Sequence, residues 1–172
     1  KALLRNIERS GIKGCVILNE TPENIASRLP LFFDKILIDA PCSGEGMFRR
    51  DPGAVKSYMN YGPKVCVPLQ ESILEAAHKC LKDGGSIVYS TCTFCVDEDE
   101  NQIKRFIERH PEYHVKAHPE IKGITHNGED SILPGSMRIW PHLSEGDGHF
   151  CVHIVKGEEK DLKSADDYLI RK

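Results

Sequence analysis

The sequence predicts an α/β protein with a largely parallel sheet, and three observations support this fold class. Short apolar runs that are typical of buried strands alternate along the chain with amphipathic runs of helical period. Two of the strand-like runs end in loops that contain cysteine. The 172 residues are 40% hydrophobic and 28% charged, which provides one domain with enough apolar side chains for a core.

The first part of the chain predicts two helices and two strands. A helix over residues 3–11 ends at a glycine, and a helix over residues 22–29 begins with a proline in its first turn. Buried strands are predicted over residues 14–19, GCVILN, and over residues 34–40, DKILIDA.

The second part predicts two longer helices. The first covers residues 67–85 and ends at two glycines, and we expect one apolar face to pack on the sheet. That face contains Leu69, Ile73, Ala77, Cys80 and Leu81. The second covers residues 97–110, where Asp97 and Glu100 have the spacing of a capping box.

Strands are predicted over residues 86–94, SIVYSTCTF, and over residues 148–156, GHFCVHIVK. Beyond them, residues 157–172 are highly charged and are interpreted as a tail or linker. The folded part is therefore expected to cover residues 1–156.

Composition and cysteine usage exclude several classes of protein. A net charge of −3 and a pI near 6.3 argue against a uniformly basic surface, although a local basic patch is compatible with them. The sequence contains no membrane-spanning run and no signal peptide, so we expect a cytosolic protein with no membrane association. Seven cysteines at irregular spacing predict reduced thiols rather than a disulfide framework. Inert, buried thiols are expected at Cys15, Cys66, Cys80 and Cys151.

Cys92 and Cys95 form a CxxC pair, but the second half of a zinc site does not follow, so no metal site is predicted.

The pairing of Cys42 with Cys92 gives more information about function. Loops that follow parallel strands meet at one edge of the sheet, so Asp39, Cys42 and Cys92 are expected to converge if their strands are neighbours. Gly44 and Gly46 would allow a ligand to approach this loop closely.

Three motifs carry a resemblance to a known family. They are DAPCSGEGMFRRDP at residues 39–52, YSTCTF at residues 89–94 and RIWPHLSEGDGHF at residues 138–150. Together they resemble the Nol/Nop/Sun (Sun/Fmu) group of RNA cytosine-5 methyltransferases, of the type that modifies small-subunit ribosomal RNA. The resemblance implies a Rossmann-like class I methyltransferase sheet, S-adenosylmethionine as cofactor and RNA as partner, with no obligate protein partner.

The resemblance also implies roles for single residues. Cys92 is expected to be the nucleophile that adds to carbon 6 of cytosine, which activates carbon 5 for methylation, and Cys42 is expected to act in product release. Asp39 is expected to bind the cytosine edge or the methionine part of the cofactor. Asn19 is assigned to the adenine by its position alone.

RNA phosphates are expected to bind Arg49 and Arg50, which extend the reactive loop. Weaker candidates for the same role are Lys56, Lys64, Lys104 and Arg138. The target cytosine would have to leave its stack to reach a buried thiol, so single-stranded or loop RNA is the expected substrate.

The family's glycine-rich cofactor loop and its acidic ribose-binding residue do not occur in this sequence. We therefore expect an incomplete methyltransferase sheet that lacks its first two strands, which would lie between the strands at residues 14–19 and 34–40. Residues 1–156 would be the C-terminal part of the catalytic domain, and the chain alone is expected to be inactive and to bind the cofactor weakly.

Two alternative functions stay open at this stage. In a cytosine-5 DNA methyltransferase, Cys42 would be the nucleophile, but a second thiol at the end of a strand would have no role. In a protein without catalytic activity, Cys92 and Cys95 would form a metal or redox module.

Overall fold

Two parallel strands joined by helices form one side of the sheet in the computed structural model, which describes residues 2–158. Strand β1 (Phe33–Asp39) pairs in parallel with β2 (Leu81–Thr91), and Asp39 lies opposite Ser90. The connection between them contains a 3-10 turn at Glu45–Met47, helix α3 (Pro52–Asn60) and helix α4 (Pro63–Cys80). This is the crossover connection that parallel pairing requires.

The remaining strands extend the sheet in antiparallel fashion. Strand β6 (His149–Lys156) pairs with β2, and the sheet continues through β5 (Met137–Ile139) to β4 (Thr125–His126). The short strand β3 (Tyr113–Val115) also pairs with β6. The predicted α/β class is confirmed, but the expected parallel sheet is mixed in the described residues, where only β1 and β2 pair in parallel and the other four strand pairs are antiparallel.

The described residues contain three further α-helices: α1 (Ala2–Arg9), α2 (Pro22–Arg28) and α5 (Glu100–Arg109). The hydroxyl of Thr21 caps α2 by accepting a hydrogen bond from the backbone N–H of Asn24 at 3.3 Å. Gly11, with φ of +64°, follows α1 in the left-handed conformation that ends many helices. No helix among residues 2–158 is long and apolar enough to cross a membrane.

The core lies between the sheet and helices α4 and α5. Phe150, Val152 and Ile154 alternate along β6 and are fully buried, as are Leu74 of α4 and Phe106 of α5. Because side chains alternate along a strand, the three β6 side chains lie on the same face of the sheet. The same core cluster includes residues of β1 and β2, the two strands that lead into the cysteine loops.

Two predictions about element type and packing are wrong. Residues 14–19 form no strand, and Val16 is 80% exposed, because no neighbouring strand in the described part of the chain offers this segment hydrogen-bond partners. The predicted helix over residues 67–85 begins earlier, at Pro63, and ends at Cys80, where β2 starts. Leu69 is 46% exposed, and Leu74 packs into the core in its place.

The predicted capping box is also wrong. Asp99, rather than Asp97, precedes α5, and neither side chain caps the helix. The Asp97 carboxylate instead accepts a hydrogen bond from Asn101 Nδ2 at 2.8 Å, and Glu100 binds Arg138. Of the predicted charged tail, residues 159–172 lie outside the described part of the chain.

Candidate active site

Two cysteines meet at the carboxyl edge of the parallel strands. Cys42 follows β1, Cys92 follows β2, and their Sγ atoms are 3.2 Å apart. The backbone N–H of Cys92 also donates to Cys42 Sγ at 3.3 Å. The parallel pairing of β1 and β2 brings the two thiols together, so Cys42 and Cys92 converge as the sequence predicts.

The two sulfur atoms differ in their acidity. A hydrogen bond from the Cys42 thiol stabilises the Cys92 thiolate and lowers the pKa of Cys92 to about 7. The same hydrogen bond, together with burial, raises the pKa of Cys42. Both side chains are half-buried. Of the two thiols, Cys92 is therefore the one that ionises near neutral pH, and Cys42 acts as hydrogen-bond donor to its thiolate form.

A buried carboxylate binds the backbone of the loop that contains Cys42. Glu98 is fully buried, and its Oε2 accepts hydrogen bonds from the backbone N–H of Ser43 at 3.0 Å and from Gln70 Nε2 at 2.9 Å. Gln70 Nε2 also donates to the Pro41 carbonyl at 2.9 Å. The backbone on both sides of Cys42 is thus bound by one Glu98–Gln70 pair. Neither residue was predicted, because Glu98 belongs to an acidic run and Gln70 to a helix 28 positions away.

A second carboxylate connects the two cysteine loops directly. Glu45 Oε2 accepts hydrogen bonds from Thr93 Oγ1 at 3.2 Å and from the backbone N–H of Phe94 at 3.1 Å. The hydroxyl groups of Ser43 and Thr93 are 2.8 Å apart. These contacts fix the Cys42 loop against the Cys92 loop, and neither Glu45 nor Thr93 was predicted.

Gly46 is required by close packing against the protein's own backbone, whereas the sequence predicted close approach of a ligand. Its N–H donates to the Cys92 carbonyl at 2.9 Å. A Cβ atom at this position would lie 2.9 Å from the same carbonyl oxygen and would also clash with the carbonyl of Gly148. Gly46 therefore allows three chain segments to meet beside Cys92.

Arg49 and Arg50 lie at the surface beside this loop, and their side chains are 64% and 73% exposed. Arg50 Nη1 binds Asp147 Oδ2 at 3.2 Å, and Arg49 Nη2 donates to the Gly146 carbonyl at 3.2 Å. Both guanidinium groups keep exposed surface. Lys56, Lys64 and Lys104 are likewise exposed.

Arg138 does not belong with these exposed cations. Its side chain is 5% exposed, and Nη2 lies 2.9 Å from Asp99 Oδ2 while Nε donates to Glu100 Oε1 at 2.8 Å. The prediction that Arg138 is a weak RNA contact is therefore wrong, because the guanidinium neutralises two buried carboxylates.

The two predicted cofactor residues lie beside the open edge of β1. Asp39 and Asn19 are both exposed. Asp39 and Glu20, the neighbour of Asn19, line one cavity of about 490 Å³, whose wall includes Leu37 at the free edge of β1. Leu37 is 73% exposed. Residue 20 thus lies against the open edge of β1, although the neighbouring residues 14–19 form no strand.

The other cysteines lie in different environments from the reactive pair. Cys66 and Cys80 are buried and Cys151 is half-buried, and burial raises the pKa of each. Cys15 is exposed, so the prediction that it is buried is wrong. Burial also raises the pKa of Cys95. The hydrogen-bond partner of Cys92 Sγ is Cys42, not Cys95.

Comparison with known proteins shows the family. Residues 1–155 match the family described as 16S rRNA methyltransferase RsmB/F. The chain belongs to the RsmB/F family. It is 31% identical over 157 residues to the ribosomal RNA small subunit methyltransferase F of Shewanella piezotolerans, covering 91% of this chain and 33% of that protein. The same enzyme of Vibrio vulnificus is 33% identical over 157 residues, with the same coverage.

Solved structures show the same architecture. The crystal structure of PH0851 matches with a TM-score of 0.75 and 28% identity, covering 92% of this chain and 34% of PH0851. The structure of NSun6 from Pyrococcus horikoshii with SFG matches with a TM-score of 0.70 and 25% identity, covering 91% and 38%. The predicted Rossmann-like methyltransferase fold is confirmed. This RsmB/F chain spans about a third of the length of the curated relatives it matches.

Proposed function

We propose that this chain contributes the reactive thiols of an S-adenosylmethionine-dependent enzyme that methylates carbon 5 of cytosine in ribosomal RNA. The observation that supports this proposal best is the pair of thiols 3.2 Å apart, of which Cys92 has the lowered pKa. A methyltransferase that forms a covalent adduct with its base needs one thiolate at neutral pH. The names of the relatives support ribosomal RNA as the substrate.

The unequal acidity of the two thiols suggests an order of events. The Cys92 thiolate would add to carbon 6 of cytosine, and the electron pair of the 5,6 double bond would move to carbon 5. Carbon 5 would then take the methyl group of S-adenosylmethionine, while the bond from that methyl group to the sulfonium sulfur breaks and S-adenosylhomocysteine leaves. A base next removes the proton from carbon 5, the double bond re-forms, and the bond between Cys92 Sγ and carbon 6 breaks. Cys42 lies within hydrogen-bond distance of the departing sulfur, so its thiol can stabilise the returning thiolate and favour release.

The residues that are present suit one part of an S-adenosylmethionine site. Asp39 provides an exposed carboxylate for the ammonium group of the methionine part, and Asn19 provides an amide for the adenine. When bound, S-adenosylmethionine supplies the methyl group. The neighbour solved with SFG, an analogue of this cofactor, supports S-adenosylmethionine as the cofactor. We expect the chain alone to bind the cofactor weakly, because the edge of β1 beside Asp39 is open.

RNA would approach over the exposed arginines. Arg49 and Arg50 lie on the same loop as Cys42 and keep most of their side-chain surface exposed, so they can bind phosphates while the target base enters the cysteine site. Lys56 and Lys64 lie further along the chain and are secondary candidates. A flipped or single-stranded cytosine is the substrate form that such a site accepts.

The experiment that tests the two roles compares Cys92→Ala with Cys42→Ala in the complete enzyme with labelled RNA and S-adenosylmethionine. Cys92→Ala should abolish methylation and every covalent RNA adduct. Cys42→Ala should form the adduct but release it slowly, so a complex that resists denaturation should accumulate on a denaturing gel. Adducts with Cys92→Ala and none with Cys42→Ala would contradict these roles.

That reversed result would support the DNA methyltransferase arrangement, in which Cys42 is the nucleophile. The raised pKa of Cys42 favours the RNA enzyme over this alternative, because a nucleophilic thiol benefits from a lowered pKa. A redox module of Cys92 and Cys95 is disfavoured because the Cys92 sulfur pairs with Cys42.

A further inference from the structure

A cluster of two histidines and one glutamate lies near the carboxyl ends of helices α4 and α5, away from the cysteine pair. His78 is in the last turn of α4, His110 follows α5, and Glu112 lies in the turn before β3. One potential ligand atom from each residue lies within 4.8 Å of the other two. Imidazole nitrogen and carboxylate oxygen are common zinc ligands.

The distances within the cluster are close to those of a coordinated ion. His78 Nδ1 and His110 Nδ1 each lie 3.8 Å from Glu112 Oε1. Ligand atoms about 2.0–2.1 Å from a tetrahedral zinc ion are about 3.3–3.4 Å apart. Each histidine–glutamate distance would therefore have to shorten by roughly half an ångström. Glu112 is 40% exposed, so its side chain has room for this movement.

The surroundings of His110 orient it as a ligand. Its Nε2 lies 3.0 Å from Glu75 Oε2, and Glu75 is held by Arg109 at 3.2 Å. A carboxylate that accepts the Nε2 proton leaves the lone pair on Nδ1, the nitrogen that faces Glu112. Carboxylates bound to the second nitrogen of a histidine in this way are usual around protein-bound zinc.

His78 is suited to the neutral form that binds a metal. Its ring lies 4.1 Å from the His110 ring, centroid to centroid, so two positive charges in these positions would repel each other. The hydroxyl of Tyr113 lies 3.2 Å from His78 Nδ1 and would have to give up this contact to the ion.

We propose that His78, His110 and Glu112 bind one Zn²⁺ ion, with water as a fourth ligand. The ion would join the ends of α4 and α5 to the start of β3, three elements that meet here at the surface. This site is independent of the proposed methyl transfer, because its residues do not contact either cysteine loop.

The test is a zinc titration of the 172-residue chain labelled with ¹⁵N-histidine, followed through the imidazole nitrogen resonances. This readout separates histidine binding from zinc bound by thiols. The Nδ1 resonances of His78 and His110 should shift together and saturate at one equivalent of zinc. His114, which is exposed on β3 and outside the cluster, should not shift.

Matched glutamate variants test the remaining ligand and its surroundings. Glu112→Gln should weaken zinc binding at least 10-fold, and Glu75→Gln should weaken it roughly 10- to 100-fold, the range for loss of a carboxylate that orients a metal-bound histidine. Glu108→Gln, an exposed site on α5, should not change the affinity. Equal affinity in the Glu112→Gln and Glu108→Gln variants, or no joint shift of the two histidines, would refute the proposal. Glu112 is exposed enough that its replacement should not affect folding.

Discussion

The Cys42 thiol should set the acidity of Cys92, and this can be measured without RNA or cofactor. The perturbation is Cys42→Ala, which removes the hydrogen bond that lowers the pKa of Cys92. Burial and the negative charges of Asp39 and Glu98 remain, and both effects raise the pKa of Cys92. The variant should therefore have a Cys92 pKa at or above the ordinary value for a thiol.

The expected effect on the alkylation rate follows from the fraction of Cys92 that is ionised. A thiol with an ordinary pKa of roughly 8.5 is about 3% ionised at pH 7, whereas a pKa near 7 leaves about half of Cys92 ionised. This is about a 16-fold larger thiolate population. A lower pKa also makes the thiolate a weaker nucleophile, by about fivefold over this range. The net gain in alkylation rate at pH 7 is about threefold, so the midpoint of the pH profile is the more decisive quantity.

The assay is alkylation by iodoacetamide from pH 5 to pH 10, with the modified peptides quantified by mass spectrometry. Alkylation of Cys92 should rise with pH around a midpoint near 7 in the natural sequence and should shift upward by about 1.5 pH units or more in Cys42→Ala. Cys95, whose pKa is raised by burial, serves as an internal comparison. Cys42→Ser keeps a hydrogen-bond donor and should shift the midpoint less than alanine does. An unchanged midpoint in Cys42→Ala would refute the view that Cys42 activates Cys92.

Three further predictions concern RNA binding and stability. Replacing both Arg49 and Arg50 with alanine in the complete enzyme should raise the KM for RNA and flatten its salt dependence by about one log–log unit per lost phosphate contact, and an unchanged slope would place them away from phosphates. Gly46→Ala should cost about 1–3 kcal/mol of unfolding free energy through overpacking, whereas Gly128→Ala, with open space around it, should cost far less in the same urea titration. Arg138→Met should cost about 3–5 kcal/mol, because it leaves the buried Glu100 carboxylate without its cation; a loss below 1 kcal/mol would contradict the buried pairing.

Local patterns in the sequence were sufficient to predict the strand and the helix next to the site. The strand predicted over residues 34–40 appears at Phe33–Asp39, and the helix predicted over residues 22–29 appears at Pro22–Arg28. Apolar runs and helix start signals depend on neighbouring residues, so they can be recognised without the fold. The expected convergence of Cys42 and Cys92 needed one further assumption, that their strands are adjacent.

Local patterns misled where a residue's environment depends on distant parts of the chain. The apolar run at residues 14–19 resembles a strand, but a strand forms only if another strand offers hydrogen-bond partners. In the sequence Arg138 has the features of a surface cation, but it is buried because its guanidinium pairs with the carboxyl groups of Asp99 and Glu100. Neither outcome can be inferred from the residues that surround these positions in sequence.

The sequence by itself determined the chemical groups of the candidate site: two thiols, an aspartate and two arginines on loops that follow apolar strands. Only the tertiary structure decided which thiol carries the charge and which residues position it. The pKa difference between Cys92 and Cys42 arises from a contact between residues 50 positions apart. The Glu98–Gln70 pair that binds the Cys42 loop likewise joins a loop and a helix that are distant in sequence. Acidity and side-chain position depend on distance and burial, and these quantities exist only once the chain has folded.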